Sequence, residues 1–236
     1  MRRIIIIGAE RGLGLGLGTT LLERGWHVTA SALPGSDASA LGALQERFPG
    51  RLAQGEVDVT DTAGARAFAA GLARTHARAC DVVFMNAGIY GALHQCATQA
   101  SEGEWNAVFH TNAIGPFRLA KWLLPCLKPA GTVAFMSSHR ASIAGNVEGG
   151  LELYRASKAA LNMLSRGLYA ELSGQGGTVL NIHPGWAATA MGTLDGTVAA
   201  EIDVPTSVRG VADQLEKAMG CGGHRYLDYR GVPLPW

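Results

Sequence analysis

Residues 4–14 read Ile4-Ile5-Ile6-Ile7-Gly8-Ala9-Glu10-Arg11-Gly12-Leu13-Gly14. Four β-branched residues in succession, without polar alternation, predict a strand buried on both faces, as in a parallel sheet covered by helices. Gly8 ends the run, and the segment from Arg11 to Arg24 has a helical pattern. A glycine-rich turn between a buried strand and a helix is suited to phosphate: glycine permits positive φ and close approach, and the free N–H groups of the helix start attract a pyrophosphate. No register of the turn gives GxGxxG, and no Gly-Lys-Ser/Thr follows, which disfavours a triphosphatase P-loop. The spacing present is Gly8-x3-Gly12-x-Gly14; Gly12, Gly16 and Gly18 repeat it, but only the first set follows a strand.

The alternation continues along the chain. Strands are expected at Trp26–Ala32, Leu52–Val57, Asp81–Phe84, Thr132–Met136, Thr178–Ile182 and His224–Asp228, separated by helices at Ala38–Arg47, Thr62–Thr75, Glu102–Leu127, Leu153–Leu172 and Thr206–Met219. This order predicts an α/β fold with right-handed crossovers: a Rossmann-type, doubly wound parallel sheet of about seven strands with helices on both faces. No linker, repeat or charge run divides the 236 residues, so one domain is expected over 1–236, with a short substrate loop at about 186–205. Hydrophobic residues at 47% and charged residues at 17% exclude disorder. A net charge of +1 leaves no field to recruit nucleic acid or an anionic membrane. Cys80, Cys96, Cys126 and Cys221 form no CxxC pair, which argues against a zinc site or a disulfide framework, and no metal is expected. The four-residue apolar start is too short for a signal peptide, and no stretch approaches the roughly 18 apolar residues of a membrane span, so a cytoplasmic protein is expected. Glycine, at 32 residues, is about twice its usual share, and those glycines belong at turns, caps and sites of ligand approach.

Tyr154-Arg155-Ala156-Ser157-Lys158 places a phenol and an ammonium four residues apart, on one face of a helix. A tyrosine titrates at about 10, too high for easy proton exchange at neutral pH, and a neighbouring cation lowers that value. Tyr154 is therefore expected to act as acid or base on a carbonyl or alcohol oxygen. Ser137 and Ser138 end a strand where a hydroxyl can donate to the same oxygen, and Asn86-Ala87-Gly88 ends another. Asn112 sits in a helical pattern against its propensity, and His183-Pro184-Gly185-Trp186 opens a loop able to close over a ligand. At the end of the second strand, where a carboxylate would hold the ribose 2′-OH of NAD, stands Ser31-Ala32-Leu33 with no acid. Arg11 is placed to meet a 2′-phosphate, which favours NADP(H) over NAD(H).

In order, Gly8-x3-Gly12-x-Gly14, Asp58-Val59, Asn86-Ala87-Gly88, Asn112, Ser138, Tyr154-x3-Lys158 and Pro184-Gly185 with Thr189 resemble the motifs of the short-chain dehydrogenase/reductase family over essentially the whole chain. The spacing of sixteen between Ser138 and Tyr154 is longer than usual there. With the ending Tyr229-Arg230-Gly231…Leu234-Pro235-Trp236, it is similar to the C-factor and sniffer-type carbonyl reductase branch. The resemblance implies that Tyr154 donates the proton, Lys158 lowers its pKa and bonds the nicotinamide ribose, Ser138 polarises the carbonyl, and Asn112 holds a relay water. It implies cofactor contacts at Gly8, Gly12, Leu13 and Gly14, at Asp58 and Val59 for adenine, and at Asn86, Ala87 and Gly88 for the adenosine ribose. Pro184, Gly185, Trp186 and Thr189 would hold the nicotinamide amide, and Arg11 and Ser31 complete the set.

Some positions depart from the family pattern. Ile7 replaces a threonine, Met85 replaces the first asparagine of Asn-Asn-Ala-Gly, and Glu10 stands where a small hydroxyl residue is usual, its carboxylate opposing a pyrophosphate unless it swings outward. Ser138, His139, Tyr90, Trp186 and Met191, with Leu93, are the expected substrate wall. Gly16 and Gly18 have no assigned role, at roughly 1 kcal/mol each in helix propensity relative to Ala. The helices at 102–127 and 153–172 are expected to pair with their copies in a homodimer or tetramer. Two functions stay open: an NADP(H)-dependent reductase of a small ketone or aldehyde, and a dinucleotide-binding sensor of the same fold with little turnover.

Overall fold

The computed structural model describes all 236 residues. Seven parallel strands form one sheet: β1 (Arg3–Ile7), β2 (His27–Ala32), β3 (Leu52–Glu56), β4 (Cys80–Met85), β5 (Leu127–Met136), β6 (Thr178–His183) and β7 (Gly223–Asp228). Their spatial order is β3-β2-β1-β4-β5-β6-β7. The order reverses between β1 and β4, and an open α/β sheet forms its ligand crevice at such a reversal. The helices are α1 (Gly12–Glu23), α2 (Ser39–Arg47), α3 (Thr62–Thr75), α4 (Glu102–Phe109), α5 (Gly115–Leu123), α6 (Glu152–Leu172) and α7 (Val204–Ala218).

The isoleucine run shows why the sheet must be covered twice. Ile4 and Ile6 enter a core with Leu17, Leu21 and Leu22 of α1 and Val208, Val211 and Leu215 of α7. Ile5 and Ile7 enter the opposite core with Ala65 and Ala69 of α3, Leu119 and Leu123 of α5, and Leu161 and Leu168 of α6. Ile7 and Met85, the two departures on neighbouring strands, both lie in this second core, where apolar packing replaces polar bracing.

The helix expected over 102–127 is a correction. It divides into α4, a π-helical turn at His110–Ile114, α5 and a 3-10 turn at Leu124–Cys126, and β5 already begins at Leu127. Pro116 has no N–H to donate within the ladder, and Pro125 breaks the pattern again. The wide turn carries Asn112, and such π-bulges recur at functional sites.

Gly16 now has a physical reason: a Cβ there would stand 3.1 Å from Val204 Cγ1 and 3.2 Å from Val208 Cγ1, so the bare helix face lets α1 seat on α7. A Cβ on Gly18 would meet only Ile6 Cδ1, at an ordinary 3.8 Å. Gly18→Ala is therefore expected to stabilise the fold by about 1 kcal/mol through helix propensity, whereas Gly16→Ala loses that gain to crowding. Urea unfolding midpoints of the two variants check this contrast.

Candidate active site

The turn from β1 into α1 is a backbone cradle. Gly8 (φ +83) and Gly12 (φ +56) are left-handed, and a Cβ on Gly8 would lie 2.9 Å from Ala87 Cα. A Cβ on Gly14 would collide with the Gly8 carbonyl. The extended Arg11 caps α1 with no side-chain bond and the first turn holds no acid, so the leading amides, Leu13 among them, are open to an anion. Asn86 Nδ2 donates to Gly8 O at 2.5 Å, and Ser31 Oγ accepts from Gly8 N at 3.1 Å. These two side chains brace the turn. Ser31 is 1% exposed, so its expected place against a 2′-phosphate is corrected: the hydroxyl is committed to Gly8. Arg11 is exposed and belongs to none of the ion pairs. Glu10 does not swing outward: its Oε2 is enclosed and has no hydrogen-bond partner.

Along the same edge, Asp58 Oδ1 accepts from Thr60 N (2.8 Å) and Thr60 Oγ1 (2.7 Å), which fixes the carboxylate after β3 beside buried Val59. On the far side of the cradle, Thr189 Cγ2 is 3.5 Å from a Cβ built on Gly12, so the loop after β6 folds back onto the glycine turn. Ser207 Oγ donates to Pro184 O (2.6 Å), and Gly185 is left-handed (φ +78) and packed against Ile202 and Tyr229. These contacts aim residues 184–189 at the cradle.

The acid–base residues meet where β4, β5 and α6 converge. Ser138 caps the turn after β5 and is buried; its hydroxyl faces the Tyr154 phenol and draws its pKa down. Burial outweighs that lowering and pushes the phenol up, with Tyr90, its ring tilted at 5.7 Å, adding to the rise. Burial therefore sets the direction of the shift, against the lowering expected from Lys158. The Lys158 ammonium sits 5.9 Å from the Tyr154 ring centroid and donates to Met136 O (3.0 Å), and burial pushes it down to about 8. A half-buried phenol held above its ordinary value is a proton donor throughout the neutral range.

Asn112 is fully buried. Its Oδ1 accepts from Ile89 N (2.7 Å), and its Nδ2 donates to Ile89 O (2.9 Å) and Ser157 Oγ (3.0 Å). The carboxamide thus braces the turn after β4 against α6, and a Cβ on Gly88 would fall 3.2 Å from its Oδ1 and 3.3 Å from Lys158 Nζ. His139 Nδ1 lies 3.0 Å from His183 Nε2, and burial, then the neighbouring His139, pushes His183 down to about 3, so the pair is neutral at neutral pH. Trp186 donates Nε1–H to Gly192 O (2.5 Å); with Met191 and Leu93 it remains exposed. The sequence reasoning missed Asn162 of α6, whose Oδ1 accepts from Ser137 Oγ (2.8 Å) and Asn181 Nδ2 (2.7 Å) behind the site. A lone amide in the apolar stripe of α6 was the available signal. No three His, Cys, Asp or Glu side chains converge on a metal position, and no helix is long and apolar enough to cross a membrane.

A phosphate-accepting glycine turn at the reversal of a parallel sheet, with Ser138, Tyr154 and Lys158 gathered beside it, marks a dinucleotide-binding α/β protein of the oxidoreductase class. The sequence profile of the short chain dehydrogenase family matches residues 2–197, and the chain belongs to that family. A short-chain dehydrogenase/reductase from Burkholderia multivorans, described as putative and solved with bound NADP, superposes with a TM-score of 0.92 at 36% identity, covering 100% of this chain and 99% of that one. The carbonyl reductase Sniffer of Drosophila melanogaster superposes at 0.86 with 31% identity over the full length of both chains. The C-signal protein of Myxococcus xanthus is 36% identical over 159 residues, 66% of this chain and 92% of that protein. Both parts of the expected branch are thus represented among its relatives.

Proposed function

We propose that the protein reduces a ketone or aldehyde to the alcohol with NADPH, reversibly, and that Tyr154 donates the proton. The observation that carries this is the placing of the Ser138 hydroxyl beside the half-buried Tyr154 phenol, next to a cradle whose amides are open to a pyrophosphate. The dinucleotide supplies the hydride that forms the new C–H bond. Ser138 orients the carbonyl oxygen, Tyr154 transfers its proton to that oxygen, and the Lys158 ammonium stabilises the phenolate left behind. The glycine turn positions the phosphates. NADP(H) is supported over NAD(H) by unpaired Arg11, by the absence of an acid at Ser31-Ala32-Leu33, and by the NADP bound to the Burkholderia relative. A small carbonyl compound is the partner that this reading calls for.

The test is a panel of aliphatic and aromatic aldehydes and ketones, with NADPH oxidation monitored by absorbance. Turnover on at least one compound, with a lower KM for NADPH than for NADH, is expected. Tight NADPH binding without oxidation on any compound would instead establish the sensor.

A further inference from the structure

We propose that Tyr226, on β7, is a positioning residue that holds the Ser138 backbone so that the serine hydroxyl faces Tyr154; this rests on Ser138 acting on the substrate carbonyl. Tyr226 is 3% exposed, and its Oη donates to the Ser138 carbonyl oxygen at 2.5 Å across 88 residues of chain. Ser138 is extended (φ −154, ψ 148) where β5 gives way to a single 3-10 turn. Its carbonyl takes a second donor, Ala141 N at 2.9 Å, from within that turn. Of the two donors to this carbonyl, only Tyr226 reaches it from another strand.

The phenol of Tyr226 is no second acid. Burial pushes its pKa far up, with Tyr154 adding to the rise, so it stays a donor wherever the protein is folded. Beyond β7 the chain grips the same segment again: the Trp236 ring lies 5.1 Å from Tyr226 and 4.5 Å from His224, and Trp236 O accepts from Ala144 N (3.0 Å) and Ser142 Oγ (3.4 Å). Residues 138–144 are thus clamped at one end by Tyr226 of β7 and at the other by Trp236. A hydroxyl that steadies developing charge works only when held in place beforehand, so a donor to the Ser138 backbone acts on the reaction through Ser138.

Tyr226→Phe keeps the ring and its packing against Trp236 and removes only the donor. Hydrogen exchange read by mass spectrometry should show faster exchange in residues 137–145 and unchanged exchange in β1 to β3. With a carbonyl substrate from the panel, kcat should fall about tenfold at unchanged KM for NADPH. In a Ser138→Ala background the same substitution should change kcat by less than about twofold, because nothing remains to be positioned. Additive losses in the cycle, or unchanged exchange over 137–145, overturn the proposal. If Ser138→Ala alone leaves turnover at the wild-type level, the role given to Ser138 fails and the positioning role fails with it; the exchange measurement then shows separately whether Tyr226 holds the turn.

Discussion

Tyr154→Phe is expected to lower kcat for carbonyl reduction by about 10²- to 10⁴-fold, the usual contribution of a positioned general acid. The phenylalanine keeps the ring that packs, tilted, against Tyr90 at 5.7 Å, so NADPH affinity and thermal stability should stay close to wild type. What disappears is the one proton that burial keeps on an oxygen facing Ser138. Removing Ser138 should cost less, because the hydroxyl orients the carbonyl without supplying the proton. The pH dependence has a definite sign. Reduction consumes a proton, and the phenol, held above its ordinary value, remains loaded throughout the neutral range. The wild-type rate should be flat there and fall as pH rises through about 8, where Lys158 loses its charge and no longer stabilises a phenolate. Alcohol oxidation, which needs the phenolate, should rise over the same window until Lys158 is discharged. A residual Tyr154→Phe rate within about threefold of wild type would assign the proton to another group, since general-acid losses are larger than that.

The isoleucine run, the glycine spacing and the i, i+4 Tyr–Lys pair are signals of period and proximity along the chain, which is why the alternation of strands and helices and the acid–base pair are readable. Residues linked only through space are not. Ser31 reads as the end of a strand, and only the packing of β2 beside β1 shows that its hydroxyl is bound to Gly8. The break within 102–127 was signalled by Gly115-Pro116, but a proline early in a helix pattern also suits a helix start. The direction of the Tyr154 shift depends on how deeply α6 is buried against β4 and β5, a tertiary quantity that overrides the nearby lysine. Asn112 was flagged by its poor propensity, yet its partners, Ile89 and Ser157, lie 23 and 45 residues away.

Lys158→Met should remove most of the activity and yet make the protein more stable at neutral pH. The wild-type ammonium is 4% exposed, makes one hydrogen bond to Met136 O, and is held down at about 8 from an ordinary 10.5 by burial alone. Such a shift corresponds to about 3 kcal/mol of destabilisation of the folded state while the group is charged. Methionine fills a similar volume without a charge; the orphaned Met136 carbonyl offsets about 1 kcal/mol, leaving a net gain of about 2 kcal/mol. For a chain of this size that is a rise in Tm of roughly 4–8 °C. The direction of the shift sets the pH window. Below about 8 both states of the wild type carry the charge and the penalty is complete. Between about 8 and 10.5 the unfolded chain binds more protons than the folded one, so wild-type stability climbs toward the variant; above 10.5 the lysine is neutral in both states and the gap is gone. Melting curves at pH 7 and pH 10.5 without dinucleotide give the comparison, because a ligand that binds only the folded state would add its own stabilisation. A variant less stable than wild type at pH 7 would mean that the ammonium is satisfied by more than the Met136 carbonyl. A gain that vanishes on alkalinisation would show that the fold tolerates a buried cation at a net cost, as expected where the charge is kept for the chemistry of the neighbouring phenol.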